Sequence, residues 1–126
     1  MKNIKVASLN IKFKDLFEHW LKVTRIFNGL TNSEISVLAL LLYYYYEFKK
    51  DITNESILWK VVFDYDTKML IKEELGITDQ NLQNKLTVLR RKGVIKDNRV
   101  NSVFIPEMTE GTLNFKVVFN YNIVYD

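Results

Sequence analysis

Leu70-Ile71-Lys72-Glu73-Glu74-Leu75-Gly76-Ile77-Thr78 is the stretch on which the reading of this chain turns. Its first six residues favour a helix, and Gly76 supplies the left-handed residue with which helices commonly end. Thr78 can then cap a second helix through its hydroxyl, with Ile77 and Leu82 spaced as the hydrophobic staple of that cap. The spacing therefore predicts a short helix over 67–75, a turn at Gly76, and a second helix over 78–92 that Gly93 ends.

Beyond Gly93 the pattern changes to that of strands, predicted near 100–105 and 113–120. Pro106-Glu107-Met108-Thr109-Glu110-Gly111-Thr112 joins them as the tip of a hairpin. Upstream, Leu30-Thr31-Asn32-Ser33-Glu34-Ile35 carries a complete helix start. Thr31 is the N-cap, Glu34 closes a capping box, and Leu30 with Ile35 forms a staple. That helix should span 31–48, with Ile35, Leu38, Ala39, Leu42 and Tyr46 turned inward. Leu40, Leu41 and the four tyrosines at 43–46 add apolar surface on its other faces, so the helix is central or touches a partner.

Residues 56–65 are assigned to a helix on Leu58, Val62 and Tyr65, although their β-branched and aromatic content also suits a strand. Asp64 and Asp66 read as helix-start residues there, not metal ligands. At the N-terminus, Ile4 and Val6, then Leu9, Ile11 and Phe13, alternate in a strand-like way over 4–13. Asp15 is expected to cap a following helix with Glu18 as its acidic partner. Leu16, Trp20, Val23 and Phe27 would form its apolar stripe and Gly29 its end.

The order helix, glycine turn, helix, glycine, hairpin resembles the winged helix-turn-helix superfamily. Leu75-Gly76-Ile77-Thr78 is similar to its turn. Leu82, Leu86 and Leu89 followed by Arg90-Arg91-Lys92-Gly93-Val94-Ile95 are similar to its closing pattern. Leu30-Thr31-Asn32-Ser33-Glu34 with Val37-Leu38 resembles the opening helix of multiple-antibiotic-resistance-type transcriptional regulators. The likeness covers residues 30–120. It implies a mostly α chain with a small β wing, an α+β fold in which a winged helix-turn-helix follows an N-terminal strand and helix extension. The whole, 1–126, is read as a single domain, with the extension over 1–29 and the winged-helix core over 30–126.

Composition narrows the function classes. No cysteine is present, so disulfides and thiolate metal sites are excluded, and the lone His19 cannot build a histidine cluster. No secretory signal is visible, and the longest apolar run, 37–46, is about half of what a bilayer crossing needs. A cytoplasmic location follows, in a host cell or in a virion if the gene belongs to a phage. Abundant Lys, Asn and Ile, with Ala only at positions 7 and 39, is a bias shared by AT-rich genomes, bacteriophages among them. The net charge of +3 is unevenly spread, and residues 67–104 carry eight basic against four acidic side chains.

That basic excess coincides with helix 78–92. At about 100° per residue, Leu82, Leu86 and Leu89 form one stripe, while Gln80, Asn84, Thr87 and Arg91 occupy the opposite side. Amides, a hydroxyl and a guanidinium are the groups that pair with base edges in a major groove. Gln80, Gln83, Asn84 and Thr87 are therefore the candidate base readers, and Lys85, Arg90, Arg91, Lys92, Lys96 and Arg99 the candidate phosphate contacts. Each has a plainer reading: polar residues solvate exposed helix faces, and cations at a helix C-terminus complement its dipole. Asp79 in the first turn, with Glu107 and Glu110 at the expected wing tip, argues against DNA.

Two functions follow. One is a non-enzymatic DNA-binding protein, a regulator or replication accessory factor, acting on double-stranded DNA. The other is a protein-interaction or structural subunit, such as a phage virion component, that uses the same fold without DNA. Neither requires a catalytic residue, cofactor, metal or small-molecule substrate, and no membrane partner is expected. The apolar content of 1–48 either makes a homodimer or other protein interface or folds back over helix 31–48.

Overall fold

A computed structural model describes residues 8–109, 111–115 and 120–126. The chain is mostly helical, and two small antiparallel hairpins follow the helices. Its axis is α3 (Asn32–Lys49), which touches α1 (Phe13–Val23), α4 (Glu55–Val62), α5 (Tyr65–Leu75) and α6 (Asp79–Arg91). Ile35, Leu38, Ala39 and Leu42 are buried as expected, and so are Val37, Leu40, Leu41 and Tyr45, while Tyr46 is only half-buried. A helix surrounded on all sides needs no single apolar stripe, which is why its sequence shows none.

The start of α3 follows its sequence. The Thr31 hydroxyl accepts from the Glu34 N–H at 3.3 Å, the Glu34 carboxylate accepts from the Thr31 N–H at 3.2 Å, and Leu30 and Ile35 are both buried. At its far end Tyr45 stacks on Trp59 of α4 with ring centroids 4.3 Å apart and donates to the Glu55 carboxylate at 2.9 Å. Burial, aided by that acceptor, pushes the Tyr45 hydroxyl up to about 12, so it remains a donor at any ordinary pH.

The N-terminal expectations need correction. Residues 1–7 lie outside the described residues; 8–12 form no strand, and Phe13 opens α1 instead of ending one. Asp15 sits inside the first turn, and the N-cap is Lys12, without a side-chain cap. Phe17 and Leu21 lie in the core and Leu16 and Trp20 pack partly buried against it, whereas Val23 and Phe27 are largely exposed. The Thr24 hydroxyl bonds the Trp20 carbonyl at 2.9 Å where α1 ends, before the single turn of α2 (Arg25–Asn28) that Gly29 ends. Phe13 and Phe17 meet Tyr43 and Tyr46, so α1 covers much of the aromatic surface of α3 from within the chain. Exposed apolar side chains at this end of the chain include Leu9, Val23 and Ile26.

Residues 56–65 are largely helical, as α4, and α5 begins at Tyr65, two residues before the expected start, with the Asp64 carboxylate accepting from the Thr67 N–H at 2.9 Å. The strands differ most. Ile95–Lys96 (β1) pairs with Arg99–Val100 (β2), so the first hairpin follows α6 directly. Its turn is Asp97-Asn98, with φ of 54° and 52°; successive left-handed residues make the tight turn that matches strand twist, and Asp and Asn tolerate that conformation better than most. Residues 102–104, expected as strand, form a 3-10 turn instead. The loop from Pro106 belongs to a second hairpin, Met108–Thr109 (β3) with Thr112–Leu113 (β4). Of the predicted strand over 113–120, Leu113 lies in a strand and residues 114, 115 and 120 do not, while residues 116–119 lie outside the described residues.

Candidate nucleic-acid interface

The turn between α5 and α6 presents α6. Gly76 takes φ 62°, and the N–H groups of Gly76 and Ile77 turn back to the carbonyls of Glu73 and Lys72. Thr78 then caps α6, its hydroxyl accepting from the Asn81 N–H at 3.1 Å. Leu82, Leu86 and Leu89 are at most 1% exposed and hold α6 to the core, so the helix cannot rotate without leaving it.

The opposite face is thereby fixed outward. Gln80, Asn84, Thr87 and Arg91 are all exposed. The Gln80 amide donates to the Asn84 side-chain oxygen at 2.9 Å, and the Thr87 hydroxyl donates to the Gln83 carbonyl at 2.9 Å, which leaves the hydroxyl oxygen free to accept. Gln83 and Arg90 flank this line on one side; Lys85, half-buried, lies nearer the leucines on the other.

The cations divide into free and engaged. Among the described residues, Lys85, Arg90, Arg91 and Lys96 form no ion pair within the chain. Lys92 does: its ammonium lies 2.7 Å from the Glu34 carboxylate, which is buried beneath it. Burial pushes the Glu34 carboxyl up, but the hydrogen bonds from Lys92 and Thr31 outweigh it and hold the group below its usual value. Lys92 thus fastens the end of α6 to the start of α3. Arg99 donates to the Ser56 hydroxyl of α4 at 2.9 Å with one of its five N–H groups.

Two of the acidic residues that weigh against DNA, Asp79 and Glu107, lie where they interfere little, and Glu110 lies outside the described residues. Asp79 is 3.5 Å from Lys72, so the first turn of α6 does not present a bare negative charge. Glu107 precedes the second hairpin, whereas the hairpin directly after α6 carries Lys96 and Arg99. These two face each other across the register of β1 and β2, on the side opposite buried Ile95 and Val100. Like charges at directly opposed positions work against a strand pair, and such a pair suits an anion brought from outside.

Sequence reasoning placed Lys96 and Arg99 among the cations but missed that they share one hairpin end. The signal was Asp97-Asn98 between Val94-Ile95 and Val100, a two-residue turn of left-handed formers. It also missed Ser56 as the residue that holds Arg99, which no local pattern reveals at a separation of 43 residues. Among the described residues no helix is long and apolar enough to cross a membrane. Compared with protein-family models, with curated proteins and with solved structures, the chain finds no significant match in any of the three.

Proposed function

We propose that this chain is a non-enzymatic, winged-helix protein that binds double-stranded DNA, with α6 entering the major groove and the β1–β2 hairpin serving as the wing. The observation that carries this reading is the two-faced build of α6. Its leucine stripe is locked in the core, and the line Gln80, Asn84, Thr87 and Arg91 faces outward with Lys96 and Arg99 on the hairpin that follows. Gln80, Gln83, Asn84 and Thr87 would meet base edges, and Lys85, Arg90, Arg91, Lys96 and Arg99 would meet phosphates. Lys92, engaged with Glu34, acts in this reading as an anchor for the helix end. Regulation of transcription or assistance to replication is the corresponding process.

Titration of a random-sequence duplex at low salt tests it. The protein should bind at micromolar concentration, and affinity should fall steeply with added salt. Arg91→Ala should weaken every duplex similarly and lower the salt slope by about one. A slope identical to that of the parent would remove Arg91 from the interface. No binding at tens of micromolar protein would transfer the fold to the protein-interaction or structural class.

A further inference from the structure

A cleft of about 290 Å³ opens between α4 and the turn of the β1–β2 hairpin. Ser56 and Lys60 line it from α4, and Asp97, Asn98 and Arg99 line it from the turn. Trp59 and Phe63 form its floor. Arg99 spans the cleft: one guanidinium N–H reaches the Ser56 hydroxyl at 2.9 Å, which fixes the fork and leaves its other donors uncommitted. Lys60 and Arg99 approach from different elements, and among the described residues neither pairs with a carboxylate within 4 Å.

The floor decides what kind of ligand fits. Trp59 is 5% exposed and Phe63 7%, and Trp59 already stacks on Tyr45. No aromatic face remains on which a base or another flat ring could lie. What the cleft offers is charge and donors: an ammonium, a guanidinium held in place, a hydroxyl and the Asn98 amide. Tetrahedral oxyanions match such a set, because several oxygens can each take a donor at once. We infer that the cleft between α4 and the β1–β2 turn is a binding site for a phosphate group, held by Lys60, Arg99 and Ser56. Asp97 at its edge limits affinity through like-charge repulsion.

The phosphate has two possible sources, a phosphodiester of a bound duplex or a free phosphate. The first rests on the DNA-binding reading; the second does not. In the first case α4 belongs to the nucleic-acid footprint, although it lies outside the helix pair that reads the groove.

Amide resonances of the full chain, followed by NMR during addition of inorganic phosphate at constant ionic strength, provide the test. Those of Ser56, Lys60, Asp97, Asn98 and Arg99 should move together and saturate. Lys60→Gln should weaken the response about fivefold or more, and Ser56→Ala, which frees Arg99 to wander, should weaken it less. Asp97→Asn, a residue that also accepts a left-handed backbone, should strengthen it about two- to fivefold. The same amides moving equally with sodium chloride, or Lys60→Gln responding as the parent does, would overturn the site. In duplex titrations, a Lys60→Gln salt slope lower by about 0.9 assigns the phosphate to the DNA backbone. An unchanged slope with a weakened phosphate response assigns it to a free phosphate. Failure of the parent chain to bind any duplex would refute the DNA reading, while the phosphate titration would still decide the cleft.

Discussion

Helices α3 and α6 both begin at a threonine cap, yet they are built on opposite plans. Nine of the eighteen residues of α3 are buried, including Glu34 of its own capping box. Only three of the thirteen residues of α6 are buried, all leucines on one stripe. The difference separates two tasks. A helix touched on every side can organise a core but has little surface left for a ligand. A helix held by one stripe has a free face whose direction the core dictates. In this chain α3 carries the fold and α6 carries the candidate site, and Lys92–Glu34 joins them.

The contrast can be broken most severely in α3. Leu42 is fully buried at the centre of that helix. Leu42→Ala should cost about 2–5 kcal/mol from lost transfer energy and the cavity left behind. Urea unfolding would measure it, and a loss below about 1 kcal/mol would mean that α3 is not the packed axis of the core.

The joint between the two helices should respond less strongly and with a pH signature. Glu34→Gln keeps an acceptor for the capping box but removes the charge facing Lys92, at a cost of about 1 kcal/mol near neutrality. The folded-state carboxyl titrates below its usual value of 4.5, because bonding to Lys92 and Thr31 outweighs burial. Its contribution is therefore complete above pH 4.5 and is lost as the pH falls through the lower folded value. Stability curves of the parent and Glu34→Gln should thus differ by a constant amount above pH 4.5 and converge as the pH falls below it. A difference independent of pH would remove the ion pair as its cause.

The smallest stability effect belongs to the outward face of α6. Asn84 is exposed, and its side-chain oxygen accepts from the Gln80 amide. Asn84→Ala should change unfolding free energy by less than about 0.5 kcal/mol. Against a library of duplexes it should nevertheless relax preference at one base pair, by about 1–3 kcal/mol of discrimination. Unchanged preference would mark the amide pair as mere surface.

Residues with local partners are legible in the sequence itself. Thr31 with Glu34, Thr78 with the start of α6, Gly76 and the leucine stripe each act within four residues of one another, so their meaning survives without tertiary context. The outward line of α6 is legible for the same reason, since a stripe on one side fixes the other. The hairpins are less so. Pro106 and Gly111 look like the stronger turn signal, yet Asp97-Asn98 closes a hairpin before either of them. Strands of two residues are too short to show alternation.

Sequence alone determined where α3, α5 and α6 lie to within about two residues, how α3 and α6 are capped, and which face of α6 is apolar. Helix geometry turns nearby residues into neighbours whatever the rest of the chain does. Only the tertiary structure decided which cations are free. Lys92 is spent on Glu34, 58 residues away, and Arg99 is held by Ser56, 43 residues away. It also decided that α1 covers the tyrosines of α3 and that Lys60 and Arg99 line one cleft. These outcomes depend on how separate elements meet, and no periodicity along the chain records a meeting between elements.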